Sequence, residues 1–396
     1  MKILFWMFIG FDKHETSEHL LIAVIEQLCK AGHSVHIIQK DTGGDLPSIP
    51  VCLSTYPVTT DTIPVQSVSK GNFAARYLAE LKYISKCKRY ITSGYDAVFV
   101  QSTTVGGFAV KALRKKLPDA TITFNVQDIF PYNAVYSGKI KKGGIAFRFL
   151  ASKQRFAYKK ADHIITISED MKETLIEDSV NPNKITVVYN WSYQDDPYDN
   201  LDLTPVSHMF DKGKKNIVYA GNIGVMQNVD IIIETARLMK NESNVCFQII
   251  GNGVYKTKLE EKAKEYKLNN VMFWPMMAPS YAPLIYTAAD VNIIPLVRNI
   301  YKTALPSKTA TCLACNKPII FAIGKDSSFG KKTKAETGND VVEPDDSYAL
   351  AESIKKVLDA PQNYDSIVFY TNSFGKTKNS KKYCDIILSK DGRENT

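Results

Sequence analysis

IVYAGNIGVMQNVDIIIETARLM, Ile217 to Met239, is the stretch whose reading decides the fold. It opens as a β-branched and aromatic run, breaks at Gly221 and Gly224, and then places apolar residues at Val229, Ile232, Ile233, Ala236 and Met239. That succession predicts a strand, a glycine turn and a helix. Glycines at such a turn let backbone approach a ligand closely. A helix opening near Asn228 would add unpaired N–H groups and a partial positive charge, a setting suited to phosphate. The spacing G-N-I-G is not G-x-G-x-x-G, and no G-x-x-x-x-G-K-[ST] occurs, so a nicotinamide oxidoreductase and a P-loop NTPase lose their main support. A tight strand-to-helix connection without any ligand is the other reading of the same residues.

Working outward, the pattern repeats on both sides. Upstream, strands are expected at Ile3–Ile9, Ser34–Gln39, Ala97–Gln101, Thr121–Val126, His163–Ser168 and Ile185–Tyr189, with helices between them, including a long one from about Gly144 to Lys160. Downstream, the alternation restarts at Ile217 and runs to Leu358. Regular βα alternation predicts parallel, doubly wound sheets. Between Asn190 and Lys215 the pattern dissolves into WSYQDDPYDNLDLTPVSHMFDKGKK, which reads as an interdomain linker. The expected organisation is therefore a Rossmann-like domain over 1–190, a linker over 191–215, a second Rossmann-like domain over 216–360 and a tail over 361–396. Two such halves would face a cleft, with ligands beyond the carboxyl ends of the strands.

The composition fits two domains of ordinary size, since 396 residues with 44% apolar and 23% charged residues describe a globular chain. The N-terminal MKILFWMFIG reads as a buried first strand rather than a signal peptide, and no run approaches the ~18 apolar residues of a membrane span. Seven cysteines without framework spacing indicate reduced thiols. Cys312 and Cys315 form a C-x-x-C that reads as small residues on a buried helix face rather than half of a zinc site.

Several further stretches follow in order: FQIIGNGVYKTKLEE from Phe247, YTAADVNIIPL from Tyr286 and LPSKTATCLACNKPII from Leu305. With Ile217–Met239 they resemble the donor-binding half of the family-4 retaining glycosyltransferases of the GT-B fold. CKAGHSVHII, GYDAVFVQS, VQDIFP, KKADHIITISEDMKETL and ITVVYNW resemble the acceptor domain of members that build bacterial capsule, O-antigen or exopolysaccharide units. The resemblance implies transfer of a hexosyl or N-acetylhexosaminyl group from a nucleotide diphosphate sugar, with retention, to an acceptor carried on a polyprenyl diphosphate.

Departure of a nucleoside diphosphate develops negative charge that amides, cations or a metal must meet. No D-x-D occurs, so no metal is expected and the nucleotide sugar is the only co-substrate. The resemblance places an Arg and a Lys where this chain has Asn222 and Gln227, and Lys302, Lys308 and Arg298 are the nearest replacements, Lys308 the first choice. It also places paired glutamates where this chain has Thr303 and Thr311, while Pro306, Ser307 and Lys308 keep the P-S-K of a capsule-type branch. Gly251 and Gly253 should let backbone approach the nucleotide, and Met276 marks the expected base-edge contact. Toward the acceptor, Asp128 is placed to orient or deprotonate a hydroxyl. Gly10 and His19 are candidate acceptor contacts, and His14 and Glu15 lie in the same loop.

Charge adds an independent line. From Lys70 to Lys160 there are eighteen Lys and Arg against four Asp and Glu, a surplus of fourteen in a chain whose net charge is +9. Aromatic residues interleave with these cations, as suits a protein peripheral on the cytoplasmic face of an anionic membrane. No nucleic-acid module is evident. Two alternatives stay open: a non-catalytic, membrane-associated relative that partners another transferase, and a sugar-nucleotide epimerase.

Overall fold

The computed structural model describes residues 1–13, 17–66, 68, 73–360 and 365–390; His14 and Glu15 lie outside them. The chain divides into two compact units, Met1–Asn190 with Lys376–Thr396, and Trp191–Gly375.

The first unit opens with β1 (Lys2–Trp6), α1 (Glu18–Lys30), β2 (Ser34–Asp41), β3 (Val58–Pro64), α2 (Phe73–Cys87), β4 (Ala97–Gln101) and α3 (Gly106–Lys116). It continues through β5 (Thr121–Val126), α4 (Tyr132–Tyr136), α5 (Ile145–Lys160), β6 (His163–Thr166), α6 (Glu169–Glu177) and β7 (Ile185–Val187). Its sheet runs β3-β2-β1-β4-β5-β6-β7, parallel throughout. β1 sits where the order reverses, with Ile3 opposite Val35 on one side and Ala97 on the other. Both faces of β1 are covered, which is why Ile3, Leu4, Phe5 and Trp6 are all apolar and fully buried.

The second unit contains β8 (Lys215–Ala220), α7 (Asp230–Leu238), β9 (Val245–Ile250), α8 (Lys256–Glu265), β10 (Val271–Trp274), α9 (Ala282–Ala288) and β11 (Val291–Pro295). It continues through α10 (Lys308–Ala314), β12 (Ile319–Ala322), α11 (Ser328–Thr337), β13 (Asp340–Val342), α12 (Ser347–Asp359) and α13 (Ser366–Phe374). Its sheet runs β10-β9-β8-β11-β12-β13, again parallel, and the order reverses between β8 and β11. The stretch read first in the sequence thus supplies the strand at the switch point. Ile231, Ile232, Ile233 and Ala236 of α7 seal one face of that sheet against Ile217, Phe247 and Ile320. Burying each such side chain contributes roughly 1.5–3 kcal/mol. The last helix among the described residues is α14 (Lys376–Leu388), which packs back on the first unit through Tyr383, Cys384 and Ile387.

Three expectations are corrected. No strand is expected between Gln39 and Ala97, yet the Pro- and Thr-rich segment there contains β3, whose alternation is too polar to announce a strand because it lies at the sheet edge. Residues 191–215 are embedded in the second unit rather than forming a free linker. Trp191, Ser192, Val206 and Met209 are buried, and Ser192 Oγ lies 3.0 Å from Thr311 Oγ1. The tail divides, since α13 belongs to the second unit and α14 to the first.

Candidate functional site

In the second unit two glycine turns meet beyond the strand ends. The turn after β8 and the turn after β9 are joined by Gly221 N to Ile250 O at 2.9 Å, Ile223 N to Asn252 O at 2.8 Å and Tyr255 N to Ile223 O at 3.1 Å. The approach is too close for side chains: a Cβ on Gly251 would sit 1.9 Å from Gly221 O, and one on Gly253 would sit 2.2 Å from Ile223 O. Gly221 itself has φ +140, and a Cβ there would meet Lys308 Nζ at 2.8 Å. These glycines therefore do two things at once, packing two turns together and leaving room for an ammonium.

That ammonium is the distinctive feature of the site. Lys308 opens α10, and its Nζ lies 3.8 Å from the centre of the Tyr219 ring, near the end of β8. The nitrogen is shut off from solvent and has no hydrogen-bond partner among the described residues. Burial disfavours the charged form and brings the lysine down to about 8, while Cys312 nearby pulls weakly the other way. The ring face of Tyr219 is a weak substitute for an anion. An enclosed cation without an acceptor is costly, and a negative group brought against it would relieve that cost.

The other donor-side candidates divide. Asn222 Nδ2 donates to Gln227 Oε1 at 3.1 Å, and both lie close to Gly224, so the positions without Arg and Lys form a neutral polar pair. Met276 is half exposed beyond β10, Pro306 is partly buried and Ser307 is exposed. Arg298 does not supply the missing charge: its guanidinium pairs with Glu343 at 3.1 Å and Asp345 at 2.5 Å. Thr303 is fully buried and donates to Ile300 O, and the Thr311 hydroxyl is engaged by Ser192, so neither hydroxyl stands ready for a sugar or ribose. The expected helix amides are also displaced. Asn228 is left-handed, α7 starts only at Asp230, and the carboxylate of Asp230 in that first turn pairs with Lys262. Several amides have no partner among the described residues, those of Asn222, Gly224, Val225 and Met226 in and just after the turn among them.

In the first unit, Asp128 follows β5 and meets no hydrogen-bond donor among the described residues. It keeps solvent access, yet desolvation by the surrounding protein pushes its carboxyl up to about 7. Gly10 has a packing reason to be glycine: a Cβ there would strike Lys40 O at 2.2 Å and Asp12 Oδ1 at 2.3 Å. Asp12, which the sequence reading passed over, is buried. Burial would raise its pKa, but bonds from the Gly44 amide and from Thr42 hold it below the usual range. His19 is half-buried in the first turn of α1, with Nδ1 enclosed by protein. Cys312 and Cys315 are buried, and no group of His, Cys, Asp and Glu among the described residues could hold a metal ion.

Two family models account for most of the chain: the glycosyl transferase 4-like domain matches residues 22–191, and glycosyl transferases group 1 matches residues 202–373. The chain belongs to this family of two-domain glycosyltransferases, and its two parallel-sheet α/β units have the GT-B fold. Among curated proteins it is 29% identical over 238 residues to the probable glycosyltransferase WbjE of Pseudomonas aeruginosa, covering 59% of each chain. It is 27% identical over 260 residues to WcaI of Escherichia coli, whose name assigns it as a glycosyl transferase to colanic acid biosynthesis, covering 63% of each. The matched region thus spans about three fifths of these relatives' length. Among solved structures, HepE of Anabaena in complex with UDP superposes with a TM-score of 0.73 at 14% identity, over 97% of this chain and 99% of that one. WaaG, a glycosyltransferase involved in lipopolysaccharide biosynthesis, gives 0.68 at 15% identity, over 98% and 100%.

Proposed function

We propose that this chain is a retaining glycosyltransferase of bacterial surface polysaccharide synthesis. It moves a hexosyl or N-acetylhexosaminyl group from a nucleotide diphosphate sugar to a saccharide acceptor carried on a polyprenyl diphosphate. Family membership and the names of WbjE and WcaI support the reaction class. The observation that carries the donor assignment is the enclosed, partnerless Lys308 ammonium against the Gly221 turn.

The chemistry follows from the groups in hand. The bond from the anomeric carbon to the diphosphate oxygen breaks, and the charge gathering on the leaving diphosphate is met by Lys308 Nζ and by the turn amides of Asn222 and Gly224. These are fixed before reaction and need no reorganisation. A bond from the acceptor oxygen to the same carbon forms on the face from which the diphosphate departs, as retention requires, and the hydroxyl proton passes to Asp128, whose pKa near 7 suits proton transfer at neutral pH. Lys308 takes the role a divalent cation could fill, so the reading is metal-independent. The basic, aromatic-bearing face of the first unit would hold the protein on the inner face of the membrane, where a lipid-linked acceptor resides. No helix among the described residues is long and apolar enough to cross a membrane.

The test is a binding screen of the purified protein against UDP, GDP, dTDP and their sugars, with magnesium or with chelator. One nucleotide diphosphate at 100 times its dissociation constant should stabilise the fold by about 2.7 kcal/mol without metal. In Lys308→Met the affinity should fall about 100-fold, as expected for losing a desolvated charge-assisted contact worth roughly 2–3 kcal/mol. Failure of every nucleotide to bind would remove the donor assignment.

A further inference from the structure

The residue just before Asp128 is held more completely than a loop residue needs to be. Gln127 N donates to Ser102 Oγ at 3.2 Å, and its Nε2 donates to Asn125 Oδ1 at 3.1 Å and to Tyr383 Oη at 3.3 Å. Its Oε1 accepts from Asn190 Nδ2 at 2.7 Å. Tyr383 Oη in turn donates to Asn125 Oδ1 at 3.1 Å, closing a triangle in which Asn125 and Tyr383 are each 3% exposed. Every member lies in the first unit, although Tyr383 reaches it only with the last helix of the chain.

The two ends of this network have distinct meanings. One end is the backbone that carries the Asp128 carboxylate. The other is Asn190, the residue after which the chain leaves the first unit, and α14 is where it returns. α14 also grips the departing strand, with Asn379 Nδ2 donating to Tyr189 O at 2.9 Å and Lys382 Nζ to Val187 O at 2.9 Å. A part-buried polar chain anchored on the buried Asn125 and Tyr383 has few alternative arrangements, because a displaced member leaves its neighbours without partners.

We infer that Gln127 and Tyr383 are positioning residues for Asp128, fixing the direction of its carboxylate and tying that direction to the chain crossing at Asn190. This rests on the reading of Asp128 as the group that orients the acceptor hydroxyl. Both residues act through the segment that bears Asp128, so their loss should affect turnover and leave donor binding alone.

The experiment compares Tyr383→Phe and Gln127→Leu with the wild type and with Lys382→Ala, a control that removes a bond from the same helix outside the network. Two readouts are taken. Carboxyl 13C NMR of protein labelled at aspartate, with Asp128 assigned from Asp128→Asn, follows its titration. Turnover of the nucleotide sugar that binds best gives kcat and KM. Tyr383→Phe should move the Asp128 titration by half a unit or more and lower kcat about tenfold with KM unchanged, whereas Lys382→Ala should change neither. An Asp128 titration identical in Tyr383→Phe, Gln127→Leu and wild type overturns the inference, as does a kcat within twofold of wild type. Absence of turnover in the wild type removes the enzymatic reading instead, and the NMR readout still decides whether the network controls Asp128.

Discussion

In the second unit one ammonium, Lys308 Nζ, is enclosed between Gly221 and the Tyr219 ring. In the first unit Lys141, Lys142 and Arg148 stand exposed beside Ile145 and Phe149, which are 90% and 51% exposed. The contrast separates two uses of positive charge. A charge stripped of water changes its energy greatly when an anion arrives, so one residue is enough to govern a binding event. Charges left in water change little individually, so a surface must gather several of them to hold anything.

The largest expected effect breaks the enclosure itself. In Gly251→Ala the new methyl would lie 1.9 Å from Gly221 O, and backbone cannot yield as the tip of a side chain can. The two turns must part, at roughly 3–4 kcal/mol of stability from overpacking and backbone strain together. Lys308 Nζ should regain water and titrate nearer the ordinary lysine range. Denaturant unfolding gives the stability, and nucleotide affinity should drop with it. A Gly251→Ala protein as stable as wild type would mean that the turns are not pressed together.

Next in size is the penalty carried by Lys308 while the site is empty. Its folded pKa of about 8 lies below the 10.5 of an ordinary lysine, so between those values the unfolded chain binds more protons than the folded one. Stability from this group is therefore lowest below pH 8 and recovers as pH rises toward 10.5. Lys308→Met should accordingly be more stable than wild type at pH 7, by up to about 3 kcal/mol, with the gain vanishing near pH 10. Nucleotide affinity should show the opposite trend, weakening about tenfold per pH unit above 8 in wild type and staying flat in Lys308→Met. A less stable Lys308→Met at pH 7 would show that the lysine is satisfied without a ligand.

How much of this was legible in the sequence depends on what each feature needs in order to be seen. β1, β8 and α7 were plain, because burial on both faces, or along one stripe, forces an apolar pattern. β3 and α4 were missed: one is an edge strand with polar alternation, the other five residues long. At the site, the glycines of the two turns and Lys308 could be picked out because residue type constrains backbone approach and charge. Sequence could not say that Arg298 is neutralised by Glu343 and Asp345, or that the Thr311 hydroxyl is taken by Ser192. Those partners lie between 45 and 119 positions away along the chain, and only the fold brings them in. The Gln127 network was invisible for the same reason, since Tyr383 lies 256 positions from Gln127.

The smallest effects per residue belong to the exposed side of the comparison. α5 buries Phe147, Leu150, Ala151, Ala157 and Tyr158 against its own unit and turns Ile145 and Phe149, one helical turn apart, to solvent. Lys153 Nζ lies 5.1 Å from the Phe149 ring, so the apolar tip is flanked by charge as a headgroup region would require. The protein should co-sediment with vesicles containing phosphatidylglycerol and not with phosphatidylcholine alone. Lys141→Gln and Lys142→Gln should each weaken that binding about fivefold, near 1 kcal/mol per cation. Ile145→Asp with Phe149→Asp should weaken it further by removing the part that enters the acyl boundary, and Lys308→Met should leave it unchanged. Raising the salt concentration should release the wild type, because exposed charges are screened within about 10 Å at 0.1 M. If the aspartate variants bind as wild type does, the basic face is only a solvated surface, and the contrast between the two units reduces to the one enclosed lysine.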